Sequence, residues 1–427
     1  MALAACPRRR EAGDGRYVAA NELTLPADGL LLHIGPIKSG TTAIQHALAE
    51  ARPTLAEHGV CYPGRQWRQM RSGLAVLGRR YRGLPEPSME DWDELVREVH
   101  EARGQRVCIS TEDMGSASAA QARRIVEDLG ADRVHVVVTA RRLDRLLPSD
   151  WQQRVKHREL LPYGEWLSIV LGSDVEHPEH RRFWRHHDLT RTYEKWAPSI
   201  DGRFTVIASD DSDRRVLHRT FEQMLDLPSG MLQSTSANLS LGASGVELVR
   251  RVNAIAAEQD WTDRDHRLLI YRGMVGRLQE LRTVEDPSIP ALPAWAIDRA
   301  NELAIQREEF FAAHDVRVVG DLERLRVPRA DAPRDVDAMP EVIRLEYAAA
   351  AVDGVHAGAM MRLAEEERRH RREIRALERA HRQELRRVRT MHRRRVRDLE
   401  RRLREAAPSA VGPVRRVLAR VRGTVPS

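Results

Sequence analysis

The segment 35–42 places one lysine and three hydroxyl side chains between and just after two glycines, in the order Gly-Pro-Ile-Lys-Ser-Gly-Thr-Thr. The apolar run 30–34 before it predicts a buried strand, and residues 43–50 after it favour a helix. A strand, a glycine loop and a helix N-terminus present backbone N–H groups and the positive end of a helix dipole to an anion. The segment therefore predicts a phosphate-binding loop.

This loop differs from the phosphate loop of ATPases and GTPases. The Walker A pattern places its lysine directly after the second glycine, before a Ser or Thr. Gly35 and Gly40 have the Walker separation, but Thr41 occupies the lysine position and Lys38 lies inside the loop. An ATPase or GTPase is therefore disfavoured.

Two adjacent carboxylates, Glu112 and Asp113, follow the predicted strand 106–110. Ligands of open parallel sheets bind outside the carboxyl ends of the strands, where a carboxylate can accept a proton from a substrate hydroxyl. Glu112 is the candidate base and Asp113 the alternative. A second interpretation stays open, in which Asp113 caps the helix predicted at 121–129.

An arginine pair and a serine follow the valine-rich predicted strand 133–139. Arg141 and Ser149 are eight residues apart, and Arg142 is an alternative to Arg141 if the strand ends one residue later. A guanidinium can bind a phosphate through two hydrogen bonds, and we expect Ser149 to add one from the start of the next helix. A second anion-binding element is thus predicted.

Together these two elements resemble those of the sulfotransferases that use 3′-phosphoadenosine 5′-phosphosulfate (PAPS). The resemblance rests on Pro36, the run 38–42, and Arg141 with Ser149 about one hundred residues later. The run 151–156 (Trp-Gln-Gln-Arg-Val-Lys) and the pattern 238–241 (Asn-Leu-Ser-Leu) are also similar to actinobacterial members of that family.

The resemblance implies a role for each matching residue. Lys38 would contact the bridging and sulfuryl oxygens of PAPS, Arg141 and Ser149 would bind its 3′-phosphate, and Glu112 would act as base. The residues implied in holding the 5′-phosphosulfate end are Lys38, Ser39, Gly40, Thr41 and Thr42. No metal is implied. The Arg-Lys-Gly run of cytosolic sulfotransferases is not visible, so either Arg250 and Arg251 replace it or that clamp is missing.

The elements that must position these residues alternate between strand and helix. Predicted strands fall at 30–34, 58–63, 106–110, 133–139, 203–208 and 316–322, whereas 64–90 is expected to be a loop. This alternation predicts an α/β fold: a P-loop-like central parallel sheet flanked by helices, with a charged helical extension at the C-terminus.

Composition divides the chain into five segments. We expect a flexible N-terminal segment, an α/β domain, a linker, an Arg-rich helix and a basic tail, at 1–25, 26–327, 328–340, 341–406 and 407–427. Residues 361–427 contain 22 Arg against 9 acidic residues, a net charge of +13, and the rest of the chain is −6. The globular part is therefore mildly acidic.

The cysteine content indicates the cellular compartment, and the lysine content supports one candidate site residue. Cys6, Cys61 and Cys108 are few and far apart, which suggests a reducing compartment and hence a cytoplasmic protein. No secretory signal or membrane span is predicted. Only 3 of the 70 basic residues are lysines, Lys38, Lys156 and Lys195, so the lysine retained in the loop supports its role.

The C-terminal segment has an eleven-residue repeat, which keeps an apolar stripe on one side of a nearly straight helix. The repeat positions are Leu363, Ile374, Leu385, Val396; Leu377, Val388, Leu399; and His370, His381, His392. Gly354 and Gly358 are expected to break the helix before it. A weak coiled coil that self-associates and a solitary charged helix both stay open, as does contact with a membrane surface or another polyanion without specific nucleic-acid recognition.

The sequence thus favours a sulfotransferase that moves a sulfuryl group from PAPS to a hydroxyl or amine of a small-molecule, carbohydrate or lipid acceptor. One alternative is a noncatalytic scaffold or tethering protein with the same nucleotide-binding fold. A small-molecule kinase with a variant phosphate loop is less favoured, because the Walker lysine is missing.

Overall fold

The computed structural model describes residues 23–81, 85–209, 213, 215–233, 240–281, 288–329 and 339–406. Most of the predicted N-terminal segment and linker, Asn238 and the whole basic tail lie outside these residues. Two compact units are present, one extending to Gly358 and the other beginning at Ala359.

A parallel sheet forms the centre of the first unit. Within the described residues its six strands are β1 (Leu30–His33), β2 (Val60–Cys61), β3 (Arg106–Ser110), β4 (Val134–Ala140), β5 (Phe204–Ala208) and β6 (Arg317–Val319). They pair in parallel in the order β2-β3-β1-β4-β5-β6. The predicted α/β fold with a central parallel sheet is confirmed.

Helices connect the strands. They are α1 (Thr41–Glu50), α2 (Arg52–Glu57), α3 (Met70–Val76), α4 (Met89–Glu101), α5 (Ala119–Leu129), α6 (Leu143–Lys156), α7 (Tyr163–Leu171), α8 (Pro178–His187), α9 (Leu189–Trp196), α10 (Val216–Met224), α11 (Ala243–Glu258), α12 (Asp263–Asp265), α13 (Val275–Glu280), α14 (Ala294–Ala313) and α15 (Leu345–Ala406). A 3₁₀ turn spans Glu112–Ser116, and a π-helical segment, His266–Met274, joins α12 to α13.

The expectation of a loop over 64–90 is wrong in part, because α3 lies inside it. Its buried residues Ala75 and Val76 pack in the same core as Trp92 of α4, so the helix is held by packing. The Gly, Pro and Arg content that suggested a loop does not reveal this contact, since helix propensity is a weak guide where tertiary packing decides.

The two faces of the sheet bury different sets of side chains. Leu30 and Leu32 of β1 face one apolar core, and Leu31 faces another with Ile44 of α1. This alternation follows from the two-residue period of a strand. Because both faces are covered, all four residues of β1 are buried, including His33, whose Nδ1 is hydrogen-bonded to Ser110 Oγ.

The helix α15 runs through Gly354 and Gly358, so the prediction that these glycines break it is wrong. A Cβ on Gly354 would lie 2.6 Å from the Cα of Met274, and one on Gly358 would lie 2.3 Å from the carbonyl oxygen of Leu268. The glycines therefore let the start of α15 approach the backbone of the π-helical segment closely. From Ala359 onward α15 forms the second unit, and the coiled-coil prediction for it stays a prediction.

Candidate active site

The candidate site lies where the chain leaves β1, β3 and β4. The strand β1 pairs with β3 on one side and β4 on the other. The loops after these three strands therefore emerge together at the carboxyl edge of the sheet. This is the place where open parallel sheets bind ligands.

The loop after β1 is fixed by its own hydrogen bonds. The buried Ser39 Oγ donates to the carbonyl oxygen of Pro36 at 2.7 Å, so this hydroxyl shapes the loop. Gly40 has φ of +92° and stands directly before α1 with no side-chain cap. Because that φ lies in the left-handed region, glycine suits the position, and its missing side chain leaves the helix N-terminus open.

Lys38 is the cation of this loop. Its φ of +65° is also left-handed, a conformation uncommon for a residue other than glycine and concentrated at functional sites. Its Nζ donates to Gln153 Oε1 of α6 at 2.8 Å. Partial burial lowers the pKa of Lys38, although the nearby Asp150 and Glu112 carboxylates act in the opposite direction.

Arg141 follows β4 and contacts the same loop. Its Nη1 donates to the carbonyl oxygen of Lys38 at 2.8 Å. The structure thus brings together two sequence elements about one hundred residues apart. Arg142, the alternative, forms two hydrogen bonds with Asp144, at 2.9 and 2.7 Å, and so acts at the start of α6.

Ser149 is not at the start of a helix, so that expectation is wrong. The helix α6 begins at Leu143, carries Asp144 in its first turn and contains Pro148 in its interior. The acidic side chain near the helix N-terminus favours this earlier start through the helix dipole. Ser149 is half-buried in the second turn, and its part in phosphate binding stays a prediction.

The Glu112 carboxylate contacts the first residue of α1, Thr41, directly after the loop that follows β1. Its Oε1 accepts from Thr41 Oγ1 at 2.5 Å, and its Oε2 forms an ion pair with Arg68 Nη1 at 3.0 Å. Burial raises the pKa of Glu112, but the Arg68 guanidinium and the Thr41 hydroxyl outweigh it, so the pKa is lowered overall. Glu112 is therefore ionised near neutral pH.

The neighbouring Asp113 has a different environment. It lies in the 3₁₀ turn, where Oδ1 accepts from Tyr81 at 2.5 Å and Oδ2 from Thr111 at 3.3 Å. Burial raises its pKa, because the hydrogen bonds from Tyr81 and Thr111 only partly offset the loss of solvent. The interpretation of Asp113 as a helix cap is wrong, since Ser118 caps α5 in a capping box with Gln121.

A second lysine lies close to Lys38. Lys156, at the end of α6, is 7% exposed. Burial lowers its pKa to about 8, and the charge of Lys38 contributes further. Burying two ammonium groups that repel each other costs free energy, and a bound anion would reduce that cost.

Sequence reasoning missed two residues that hold the site together. Arg68 gave no signal, because it lies in an Arg-rich stretch read as a loop. Gln153 lies in the run 151–156, which resembles a run of actinobacterial sulfotransferases, but its hydrogen bond to Lys38 is visible only in the structure. The position of Gln153, two residues after Trp151 in this run, is the sequence signal that could have pointed to its role.

The described part of the chain contains neither a candidate metal site nor a candidate membrane span. Within residues 23–81, 85–209, 213, 215–233, 240–281, 288–329 and 339–406, no group of three or more His, Cys, Asp or Glu side chains is arranged to hold a metal ion. None of the helices in these ranges is both long and apolar enough to cross a bilayer.

Comparison with known proteins gives one structural likeness. A solved structure of a sulfotransferase from Alicyclobacillus acidocaldarius matches 58% of this chain and 97% of its own chain, with 15% sequence identity and a TM-score of 0.34. No family model matches the chain, and no curated protein matches it. The fold class accordingly rests on the chain's own parallel sheet.

Proposed function

We propose that this protein transfers a sulfuryl group from PAPS to a hydroxyl or amine acceptor. One observation carries the proposal: Arg141, after β4, donates to the backbone of Lys38 in the loop after β1. This contact joins the two sequence elements that resemble the 5′- and 3′-phosphate sites of PAPS sulfotransferases. The parallel pairing of β1 with β4 places the two elements side by side at the carboxyl edge of the sheet.

The residues present suit a nucleotide with two separate anionic groups. Lys38 and Lys156 are poorly solvated cations that repel each other, so a phosphosulfate would relieve an existing electrostatic cost. Thr42 and the amides at the start of α1 would hold the 5′-phosphate, with Ser39 and Gly40 shaping the loop. Arg141, with Ser149, would hold the 3′-phosphate.

The reaction is an in-line displacement at sulfur, by analogy with phosphoryl transfer. The bond from the acceptor oxygen or nitrogen to sulfur forms while the bond from sulfur to the bridging oxygen breaks. The electron pair of the broken bond stays on the bridging oxygen, which leaves as part of adenosine 3′,5′-bisphosphate. Lys38 stabilises the charge that develops on this oxygen.

The acceptor proton passes to a carboxylate after β3. Glu112 is the proposed base because it is ionised and borders the phosphate loop through Thr41. Asp113 is the alternative, with a raised pKa that makes it the stronger proton acceptor of the two. The acceptor itself would be a small molecule, a carbohydrate or a lipid, and the proposed location stays cytoplasmic.

A noncatalytic nucleotide-binding protein is the second candidate. The observation that favours it is that both oxygens of Glu112 already have partners, Thr41 and Arg68. A carboxylate held in this way can serve to position Thr41 without accepting a proton. Binding of PAPS without turnover across a broad acceptor screen would favour this candidate.

Nucleotide selectivity of the full chain tests the proposal. Thermal stabilisation would be compared for adenosine 3′,5′-bisphosphate, adenosine 2′,5′-bisphosphate, AMP, and ATP with Mg²⁺. A ligand bound only by the native state stabilises it by mass action. We expect the 3′,5′-bisphosphate to give the largest shift. Equal or larger stabilisation by ATP with Mg²⁺ would overturn the proposal and favour a kinase.

A further inference from the structure

The exposed part of α15 carries a continuous stripe of apolar and histidine side chains. The stripe follows a 4-3-4 spacing and consists of His370, Ile374, Leu377, His381, Leu385, Val388, His392, Val396, Leu399 and Leu403. We call this set the seam. Its isoleucine and leucine side chains and Val388 are between 43% and 71% accessible, so the seam is not buried within its own unit. At ~1.5 Å per residue it extends about 50 Å.

The opposite side of the helix is arginine-rich. Arg375, Arg379, Arg386 and Arg397 lie roughly half a turn away from the seam, and all are exposed. A partner that covers the seam therefore leaves these guanidinium groups in water. A membrane or a nucleic acid would instead be attracted to the arginine side, which would leave the seam uncovered.

The order of residues in the seam is self-complementary when one helix is reversed. Ile374 then meets Leu399 of the second copy, and Leu377 meets its Val396. Leu385 meets Val388 of the second copy at the centre, with His381 against His392 on either side. In the other layers each helix contributes an apolar side chain, except at the two ends. There His370 meets Leu403 of the second copy. An isologous two-fold interface requires this self-complementarity.

The charges of α15 favour the same antiparallel arrangement. Residues 362–384 contain eight Arg against six Glu, whereas 385–406 contain ten Arg against three acidic residues. Parallel chains would place the two strongly basic halves side by side, and antiparallel chains place each beside the weakly basic half of the other. Like charges along an interface are destabilising.

Side chains beside the seam add opposite-charge pairs in the antiparallel register. Glu378 lies near Arg393 of the second copy, and Glu373 lies near its Arg402. Arg371 similarly lies near Glu400 of the second copy. One like pair remains, Arg382 with Arg389 of the second copy. Parallel chains would also form some opposite-charge pairs beside the seam. The argument for antiparallel chains therefore rests on the net charges of the two halves and on the complementary layers of the seam.

We infer that α15 pairs with α15 of a second copy of this chain, as an antiparallel two-stranded coiled coil centred between Leu385 and Val388. The eleven-residue repeat, 3.67 residues per turn, gives this coil a nearly straight or slightly right-handed course. The inference does not depend on the sulfuryl-transfer proposal, because no residue of the candidate active site takes part.

Sedimentation of the full chain over a range of concentrations tests the pairing. We expect wild type to form dimers that become monomers in the variant Leu377→Glu/Val388→Glu. The matched control Ala376→Glu/Thr390→Glu adds the same charge off the seam and should remain dimeric. Circular dichroism would confirm that both variants keep their helix content. A wild type that is monomeric at every concentration, or equal behaviour of the two variants, would overturn the inference.

Disulfide cross-linking tests the orientation, in full chains that also carry Cys6→Ser and Cys61→Ser. The variants His381→Cys and His392→Cys would be oxidised separately and as a mixture. In the antiparallel register these two positions face each other, whereas each lies about 16 Å along the axis from its own counterpart. We expect covalent dimers only in the mixture. Dimers in the separate samples would establish parallel chains, and none in the mixture would overturn the register.

Discussion

The phosphate loop and the 3₁₀ turn after β3 lie at the same edge of the sheet, but their charged groups are satisfied in different ways. In the loop, the cation Lys38 donates a hydrogen bond to the neutral Gln153 and has a second lysine nearby, and the Asp150 and Glu112 carboxylates only partly offset its burial. In the turn, Glu112 has a cation on one oxygen and a hydroxyl on the other. The loop is thus electrostatically prepared for an added anion, whereas the turn is already balanced.

This difference distinguishes groups that gain when an anion binds from a carboxylate that must change partners to react. Lys38 and Arg141 gain when the anionic nucleotide arrives, and Lys38 gains further as charge develops on the bridging oxygen. Glu112 gains nothing comparable and must give up or share a partner to accept a proton. Substitutions in the two regions should therefore have distinguishable effects on affinity and on turnover.

Lys38→Ala should have the largest effect on turnover. The lysine is expected to act on charge that develops only in the transition state, so its loss should lower kcat by about 10³-fold. Affinity for adenosine 3′,5′-bisphosphate, which lacks the sulfuryl group, should fall much less. Release of that product from PAPS, with an acceptor that wild type uses, provides the measurement. A large loss of product affinity with little change in kcat would reverse the proposed role.

Conservative substitutions should distinguish the roles of the two carboxylates after β3. Glu112→Gln keeps the size of the side chain but removes the base, and should lower kcat by about 10²-fold or more. Asp113→Asn serves as the matched control and should have a smaller effect. Nucleotide binding by both variants, measured in parallel, would show that the loop is intact. The opposite ranking of the two kcat values would transfer the base role to Asp113.

Lys156 should give nucleotide binding a pH dependence. The pKa of Lys156 in the free protein is lowered to about 8. Below that pH the ammonium attracts the nucleotide, and above it the neutral amine does not. Between pH 7.5 and 9 the affinity for adenosine 3′,5′-bisphosphate should therefore fall, by at most about tenfold.

The variant Lys156→Gln separates this effect from titration of Lys38, whose pKa is also lowered. In the variant the affinity should be lower at pH 7.5 and should change little up to pH 9. An unchanged pH profile in Lys156→Gln would show that Lys156 does not face the bound nucleotide.

The sequence predicted the placement of Lys38 and Arg141 better than it predicted the contacts of the two carboxylates after β3. Lys38 and Arg141 follow long apolar runs, and the ends of parallel strands must meet at one edge, so spacing alone placed them together. The partners of Glu112 and Asp113 come instead from Arg68 and Tyr81, in a region with no periodic pattern. Contacts of this kind depend on how a loop folds back, which local sequence does not encode.

The fold was likewise predicted better where local sequence determines it than where packing does. Each of the six predicted strands exists within the described residues, and four of them, β1, β3, β4 and β5, are largely buried apolar runs. Local signals misplaced features that depend on packing or context: α3 in a stretch read as loop, Gly354 and Gly358 read as breakers, and Ser149 read as a helix start. In the first two, packing against another element outweighed local propensity: α4 for α3, and the π-helical segment for Gly354 and Gly358.

The most direct test of the central claim is calorimetry of adenosine 3′,5′-bisphosphate binding to the full chain, in wild type, Arg141→Ala and the control Arg142→Ala. Loss of charge-assisted hydrogen bonds at the 3′-phosphate should weaken binding to Arg141→Ala by about 10–100-fold. Arg142→Ala should bind almost as wild type does, because Arg142 is paired with Asp144. No binding by wild type, or equal affinity of wild type and Arg141→Ala, would contradict a PAPS site at this edge of the sheet.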